Sequence, residues 1–240
     1  MAKERLNKYI ASCGVCSRRE ADRLIQEGRV SVNGKRADMG MQVDGTEQIS
    51  VNGKVLHGKN EKVVLAYYKP VGVTCTEKDR FADKKITDMV KFPVRVTYAG
   101  RLDKGSEGLI LLTNDGELID AMMRGSAGHE KEYIVKVNKE VTDEFLQQMT
   151  KGVYLKELNI MTRPCLVERV GKFTFRIVLT QGVNRQIRRM SGELGYKVTA
   201  LKRIRVVNIE LANLKPGQFR QISGNELQLL YNFCQKKTVM

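Results

Sequence analysis

The chain has 240 residues, enough for one large domain or a large domain with a small companion, and two domains is the expectation. Its 42 Lys and Arg against 27 Asp and Glu give a formal net charge of +15, a field that attracts polyanions. A hydrophobic content of 42% supplies a core to bury and excludes a disordered basic tail as the whole chain. No apolar run approaches the roughly 18 residues of a membrane span, and Met1-Ala2-Lys3-Glu4-Arg5 lacks the apolar stretch of a signal peptide, so a cytoplasmic location is expected. Five cysteines (Cys13, Cys16, Cys75, Cys165, Cys234) are an odd count in a chain that needs no disulfides, and reduced thiols are expected. Cys13-x-x-Cys16 invites a zinc reading. A second ligand pair is missing, and His57 and His129 lack metal-site spacing, so no metal is expected and the two thiols read as small buried residues at a helix turn.

In chain order, residues 4–12 read as a short helix with Leu6, Tyr9 and Ile10 on one face, ended by Cys13-Gly14-Val15-Cys16. Ser17-Arg18-Arg19-Glu20 has capping-box spacing and opens a second helix, which runs to Gln26 or Glu27 before Gly28. Two β-branched runs follow, closed by Val32-Asn33-Gly34-Lys35 and Val51-Asn52-Gly53-Lys54, and Asn-Gly supplies the positive φ of a tight hairpin. This small module ends near residue 58, residues 59–65 read as a linker, and residues 66–240 form the second domain. Strand-like runs are read at 63–68, 95–99, 109–113, 130–138, 165–169, 173–180 and 197–210. Helical patterns fall at 115–124, 143–151, 183–194 and 223–235, the last with its own capping box at Ser223–Glu226. Without a βαβ rhythm, the fold class predicted is α+β: a mostly antiparallel mixed sheet with flanking helices.

The sequence contains no phosphate-binding loop, zinc-hydrolase motif, nucleophile elbow or dinucleotide fingerprint. What stands out is Ala99-Gly100-Arg101-Leu102-Asp103-Lys104-Gly105-Ser106-Glu107-Gly108-Leu109, a glycine-punctuated loop running into a strand. Asp103 lies between Arg101 and Lys104, cations that favour its charged form, and a positioned carboxylate can act as nucleophile or base. A solvated turn whose aspartate caps a backbone amide is the plainer alternative on local sequence alone. In the second feature, Asn184-Arg185-Gln186-Ile187-Arg188-Arg189-Met190, helical spacing puts Ile187, Met190 and Leu194 on one side and Arg185, Arg188 and Arg189 roughly opposite. With Lys202 and Arg203 beyond, and Arg5, Lys8, Arg18, Arg19 and Arg23 in the first module, these cations, Arg101 and Lys104 are the candidate contacts to the phosphates of a polyanion. Tyr133 in Lys131-Glu132-Tyr133-Ile134-Val135 is an ordinary sheet aromatic or, in a chain with no Trp, a surface for stacking a base.

Arg101-Leu102-Asp103-x-x-Ser106-x-Gly108-Leu109, Lys131-Glu132-Tyr133 and Asn184-Arg185-Gln186-Ile187-Arg188-Arg189-Met190 together resemble the motifs of the RsuA-type ribosomal RNA pseudouridine synthases. Lys69-Pro70-x-Gly72 and Leu201-x-Arg203 fit as well, and residues 5 to about 51 are similar to an S4-type RNA-binding domain. The basic motif looks like the large-subunit (23S rRNA) branch called RluF, as does Val206-Val207, where many members have Ile-Gly. The resemblance implies an S4-like domain ahead of a pseudouridine synthase fold, and isomerisation of a uridine in a folded ribosomal RNA stem-loop after base flipping. It implies a monomer that needs no cofactor, metal or membrane. Asp103 would be the catalytic carboxylate, acting by attack or by ribose proton abstraction; Arg188 would pair with Asp103 and a phosphate, and Tyr133 would face the flipped base. The alternatives are a non-catalytic S4 RNA-binding protein or assembly chaperone, which would have no need of Asp103, and an S4-linked methyltransferase, whose cofactor loop is not found.

Overall fold

The computed structural model describes residues 3–76, 83–124 and 128–235. It divides into two units: Met1–Val63 with Phe92–Val96 and Asn114–Gly116, and Val64–Lys91, Thr97–Thr113 and Glu117–Met240.

In the first unit, α1 (Leu6–Ser12) and α2 (Arg18–Gln26) pack on a four-stranded sheet of β1 (Val30–Val32), β2 (Lys35–Arg36), β3 (Ile49–Val51) and β4 (Lys54–Val55), ordered β2-β1-β3-β4. The first helix starts two residues later than the apolar periodicity predicts, because Glu4 and Arg5 are extended and pair with Gln42–Val43. Ser17 caps α2 as expected, its hydroxyl accepting the Glu20 N–H at 3.3 Å, while the Glu20 carboxylate pairs with Arg23. Both Asn-Gly pairs carry positive φ at both residues (50° and 75°, 53° and 77°), the geometry of type I′ hairpins. Leu6, Ile10, Leu24 and Ile25 bury against Val30, Ile49 and Val51, with Cys13 and Cys16 packed on this core.

The second unit is built on a nine-stranded sheet. Its strands are β5 (Val64–Lys69), β6 (Thr97–Ala99), β7 (Glu107–Thr113), β8 (Lys131–Val137), β9 (Leu166–Gly171), β10 (Thr174–Leu179), β11 (Val198–Val206), β12 (Ile209–Glu210) and β13 (Phe219–Gln221). The main order is β9-β10-β8-β11-β7-β5-β13, and only the β11–β7 pair is parallel. β5 and all of β7 after its first residue are buried on both faces, which explains their unbroken apolar runs. Helices α3 (Gly116–Met123), α4 (Asp143–Lys151), α5 (Gln186–Glu193) and α6 (Gly224–Gln235) flank the sheet, and Leu118 and Leu230 join Val64, Leu109, Leu111 and Ile209 in one hydrophobic core. Among the described residues no helix is long and apolar enough to cross a membrane.

Three local expectations change, and two elements were not expected. The predicted strand over 197–210 breaks at Val207, which adopts φ +55° and turns the chain into the β11–β12 hairpin. The helix predicted over 183–194 begins only at Gln186, because Arg185 is left-handed (φ 52°, ψ 32°). In the capping box proposed for α6, the Glu226 carboxylate accepts two 2.6 Å bonds from Arg220. Strand β13 and a small hairpin, Tyr154–Leu155 with Ile160–Met161, carry too little periodicity to be read from sequence.

Candidate active site

Strand register sets one row across the sheet: Lys69 on β5 is opposite Gly108 on β7, Gly108 opposite Arg203 on β11, and Arg203 opposite Tyr133 on β8. At about 4.8 Å between strands, Tyr133 lies about 10 Å from Gly108, five residues after Asp103. Gly108 is required: its φ is +109°, and a Cβ there would lie 2.2 Å from the Arg203 carbonyl oxygen and 2.6 Å from its nitrogen. Arg203 corrects the expectation of an RNA contact. It is 3% exposed, and its Nε donates to the Leu109 carbonyl at 2.7 Å, so it ties β11 to β7 instead of presenting charge to solvent.

The loop carrying Asp103 is closed by the Ser106 N–H donating to the Asp103 carbonyl at 3.0 Å. It is held from outside by Gly72 N–H to the Lys104 carbonyl at 2.8 Å, and by Leu102 N–H to the Cys75 sulfur at 3.5 Å. Lys69, fully buried, fixes the turn that supplies Gly72: its Nζ donates to the Pro70 and Val73 carbonyls at 2.9 and 2.8 Å. Burial pushes the Lys69 ammonium below the usual lysine range, against the pull of Cys75 and Asp103. Lys69 was visible only as part of a motif, and its role as a staple depends on carbonyls that no side-chain pattern reveals.

The cations that reach Asp103 come from the α5 end of the sheet. Arg185 Nη1 donates to Asp103 Oδ2 at 3.4 Å, and Arg188 Nε lies 3.8 Å from the same oxygen. Lys104, expected to flank the carboxylate, pairs with Asp83 at 3.6 Å. The two arginines differ in freedom. Arg188 is clamped by the carbonyls of Gly105 (3.0 Å) and Val198 (3.1 Å) and by the Ser106 hydroxyl (3.2 Å), and its buried Nε has no hydrogen-bond partner. Burial and the neighbouring Arg185 lower its pKa, opposed by Asp103. Arg185 stays half exposed.

Tyr133 is 9% exposed and follows a β-bulge between Glu132 and Tyr133 in the β8–β11 ladder. On the opposite face of β8, buried Glu132 accepts from Arg176 Nε at 2.6 Å and Arg205 Nε at 2.8 Å. Burial works to raise the Glu132 pKa, but these two guanidinium bonds outweigh it and hold the carboxyl below its ordinary range. Sequence reasoning passed over this network because its members stand 44 and 73 residues from Glu132.

The remaining cations sort by their partners. Arg189 is tied to Glu157, Lys202 lies 5.0 Å over the Tyr68 ring, and Arg101 is exposed. Beneath Lys202, burial and the bond to Glu107 push the Tyr68 hydroxyl up to about 12. In the first unit Arg5, Arg18 and Arg19 are exposed, Lys8 pairs with Glu4 at 3.7 Å, and Arg23 lies between Glu20 and Glu27. The five cysteines are free thiols.

Comparison with known proteins agrees with this layout. Residues 63–192 match the RNA pseudouridylate synthase family, and residues 4–49 match the S4 domain. The chain is 45% identical to the dual-specificity RNA pseudouridine synthase RluF of Salmonella typhi, covering 96% of this chain and 80% of that one. It is 39% identical to ribosomal large subunit pseudouridine synthase B of Bacillus subtilis, covering 95% of each. A crystal structure of a pseudouridylate synthase superposes with a TM-score of 0.70 at 26% identity, covering 94% of this chain and 99% of that one. With an S4 domain ahead of a synthase domain in which the basic motif brings Arg185 and Arg188 to Asp103, the chain belongs to the RNA pseudouridylate synthase family.

Proposed function

We propose that this protein converts a specific uridine of large-subunit (23S) ribosomal RNA to pseudouridine, acting as a cytoplasmic monomer on a folded stem-loop. The reaction breaks the bond from C1′ to N1, turns the uracil in the pocket and bonds C5 to C1′. N1 gains a proton as C5 loses one, so no atom is added or lost and no redox or group carrier is called for. The observation that carries the reading is one carboxylate, Asp103, met by two arginines of unequal freedom. Asp103 begins the reaction by attack on the nucleotide or by taking a ribose proton. Arg188, whose free Nε lies 3.8 Å from Asp103, holds that carboxylate in its orientation. Tyr133 offers its ring to the extruded uracil and its hydroxyl to the C5 proton. Extrusion costs a few kcal/mol, which stacking and phosphate contacts offset.

The test maps pseudouridines by carbodiimide-dependent reverse-transcription stops in ribosomal RNA from cells with and without the protein, then with Asp103→Asn. One or more stops should vanish without the protein and stay absent with the asparagine variant, while RNA binding survives. Stops restored by Asp103→Asn would rule out the carboxylate chemistry. Unchanged stops in cells lacking the protein would leave a non-catalytic RNA-binding protein.

A further inference from the structure

Residues 188, 189, 192 and 193 lie on one stripe of α5 at helical spacing, with Arg185 just ahead of the helix at its N-cap. This stripe walls a cleft of about 440 Å³, completed by Leu155 and Glu157 from the small hairpin after α4. The cleft is lined mainly by charged side chains, with Leu155 the one apolar side chain among them. Arg185 stands at the Asp103 end, Leu155 is buried below, and the carboxylates of Glu157 and Glu193 lie among the lining groups. Glu157 is met by Arg189, and Glu193 accepts the Lys156 N–H at 3.2 Å.

Gly192 is the informative residue. Glycine weakens a helix interior relative to alanine. Its φ is not positive, and a Cβ there would meet nothing within 4 Å, so no packing within the protein requires it. What the missing side chain leaves open is the cleft.

We infer that this cleft is a subsite for a second nucleotide of the RNA, next in the chain to the target uridine. Its phosphate draws Arg185 away from Asp103, its base lies over Gly192, and its amino or imino edge donates to Glu157 or Glu193. The inference rests on the reading of Asp103 as the catalytic carboxylate. It gives the two arginines separate work: Arg188, clamped by three acceptors, stays with Asp103, while half-exposed Arg185 is exchanged between Asp103 and phosphate. The free carboxylate is thus covered until the neighbouring nucleotide is seated.

The test uses the full chain, its Gly192→Ala and Gly192→Leu variants, and a stem-loop containing the mapped uridine. A companion set of RNAs carries a single abasic residue at each neighbouring position. At one neighbouring position the abasic RNA should lower kcat/KM of the wild type about tenfold or more, within the range of about five- to 150-fold for one stacked base. Gly192→Leu should show the same loss on intact RNA and no further loss on that abasic RNA, with Gly192→Ala close to wild type. Its melting temperature should equal or exceed that of wild type, which separates a filled cleft from misfolding. Wild-type kcat/KM for Gly192→Leu on intact RNA would overturn the inference, as would two losses that multiply. So would free guanosine monophosphate binding that Gly192→Leu abolishes while RNA turnover is untouched, since the cleft would then serve a free nucleotide. If the wild type forms no pseudouridine, the functional reading fails separately. The cleft is then judged on equilibrium RNA binding, where Gly192→Leu must lose the same factor.

Discussion

Replacing Gly108 by alanine puts a methyl group where the structure has backbone. The new Cβ would lie 2.2, 2.6 and 2.9 Å from the Arg203 oxygen, nitrogen and carbonyl carbon, against a floor near 3.0 Å for real Cβ contacts. No side chain can swing aside, so β7 and β11 must part by about 1 Å of their roughly 4.8 Å spacing. Overpacking of this kind costs about 1–3 kcal/mol, and alanine at φ +109° adds about 1–3 kcal/mol of backbone strain. A total of about 4 kcal/mol is a large share of the roughly 5–15 kcal/mol that holds a domain together. It should lower the melting temperature by about 8–16 °C. The same displacement moves Tyr133 and Asp103 relative to one another, because Gly108 and Arg203 are the row between them, and about 1 Å of misplacement costs about 100-fold in turnover. Thermal melting and single-turnover pseudouridine formation, with Gly171→Ala as control, measure both effects. A Cβ at Gly171, on β9 away from Asp103, would meet only Thr174 at 3.8 and 3.9 Å, so that variant should behave as wild type. A Gly108→Ala protein that melts within about 2 °C of wild type and keeps its turnover would refute the close-approach argument.

Tyr133→Phe should bind RNA normally and stall before product forms, while Tyr133→Ala should also lose about 1–3 kcal/mol of RNA affinity; full activity in the phenylalanine variant would reduce the hydroxyl to a bystander. Arg5→Gln with Arg19→Gln should lower the log–log salt slope of RNA binding by about 0.7–0.9 per residue, whereas Arg23→Gln, whose charge is met by Glu20 and Glu27, should leave it unchanged. Equal slopes for all three changes would mean that local pairing does not decide which cations meet phosphate. Burial lowers the His129 pKa from its ordinary 6.5, so the unfolded chain takes up that proton first as pH falls. The stability this provides is complete above about pH 6.5 and is lost as pH drops toward the lower folded value, with a slope of at most about 1.4 kcal/mol per pH unit. His129→Asn should flatten the stability–pH curve in that window, and chemical denaturation from about pH 4 to about pH 8 would expose a wrong sign.

Local chemistry was legible where one residue type answers one backbone need. Asn33-Gly34 and Asn52-Gly53 announce their hairpins because few other pairs tolerate positive φ twice, and Ser17 announces its helix because it can hold a free amide. Cationic residues were less readable, since charge in sequence does not tell surface from interior. Arg203 looked like a phosphate ligand, although its spacing from buried Leu201 puts both on one face of β11 and could have shown it turned inward. The partners of Asp103 were misread only in part: Lys104, its neighbour in sequence, meets Asp83 and Arg185 arrives from 82 residues away, whereas Arg188, expected beside Asp103 from the motif resemblance, lies 3.8 Å from it. Val207 shows the opposite case, a residue whose departure from Ile-Gly was noticed but whose left-handed backbone, normally suited to glycine, is visible only in the structure.

The sheet order also dictates when the protein can become competent during its own synthesis. Strand β11 lies between β7 and β8, yet it is made long after both. At about 5–20 residues per second, roughly 5–20 s pass between the emergence of β7 and that of β11, with two buried-type strands left without their central neighbour. Until then the row containing Gly108 and Tyr133 does not exist, and Val198, whose carbonyl helps clamp Arg188, has not been made. A chain cut short before residue 198 is therefore expected to be inactive whatever motifs it retains, and to present open strand edges that favour aggregation.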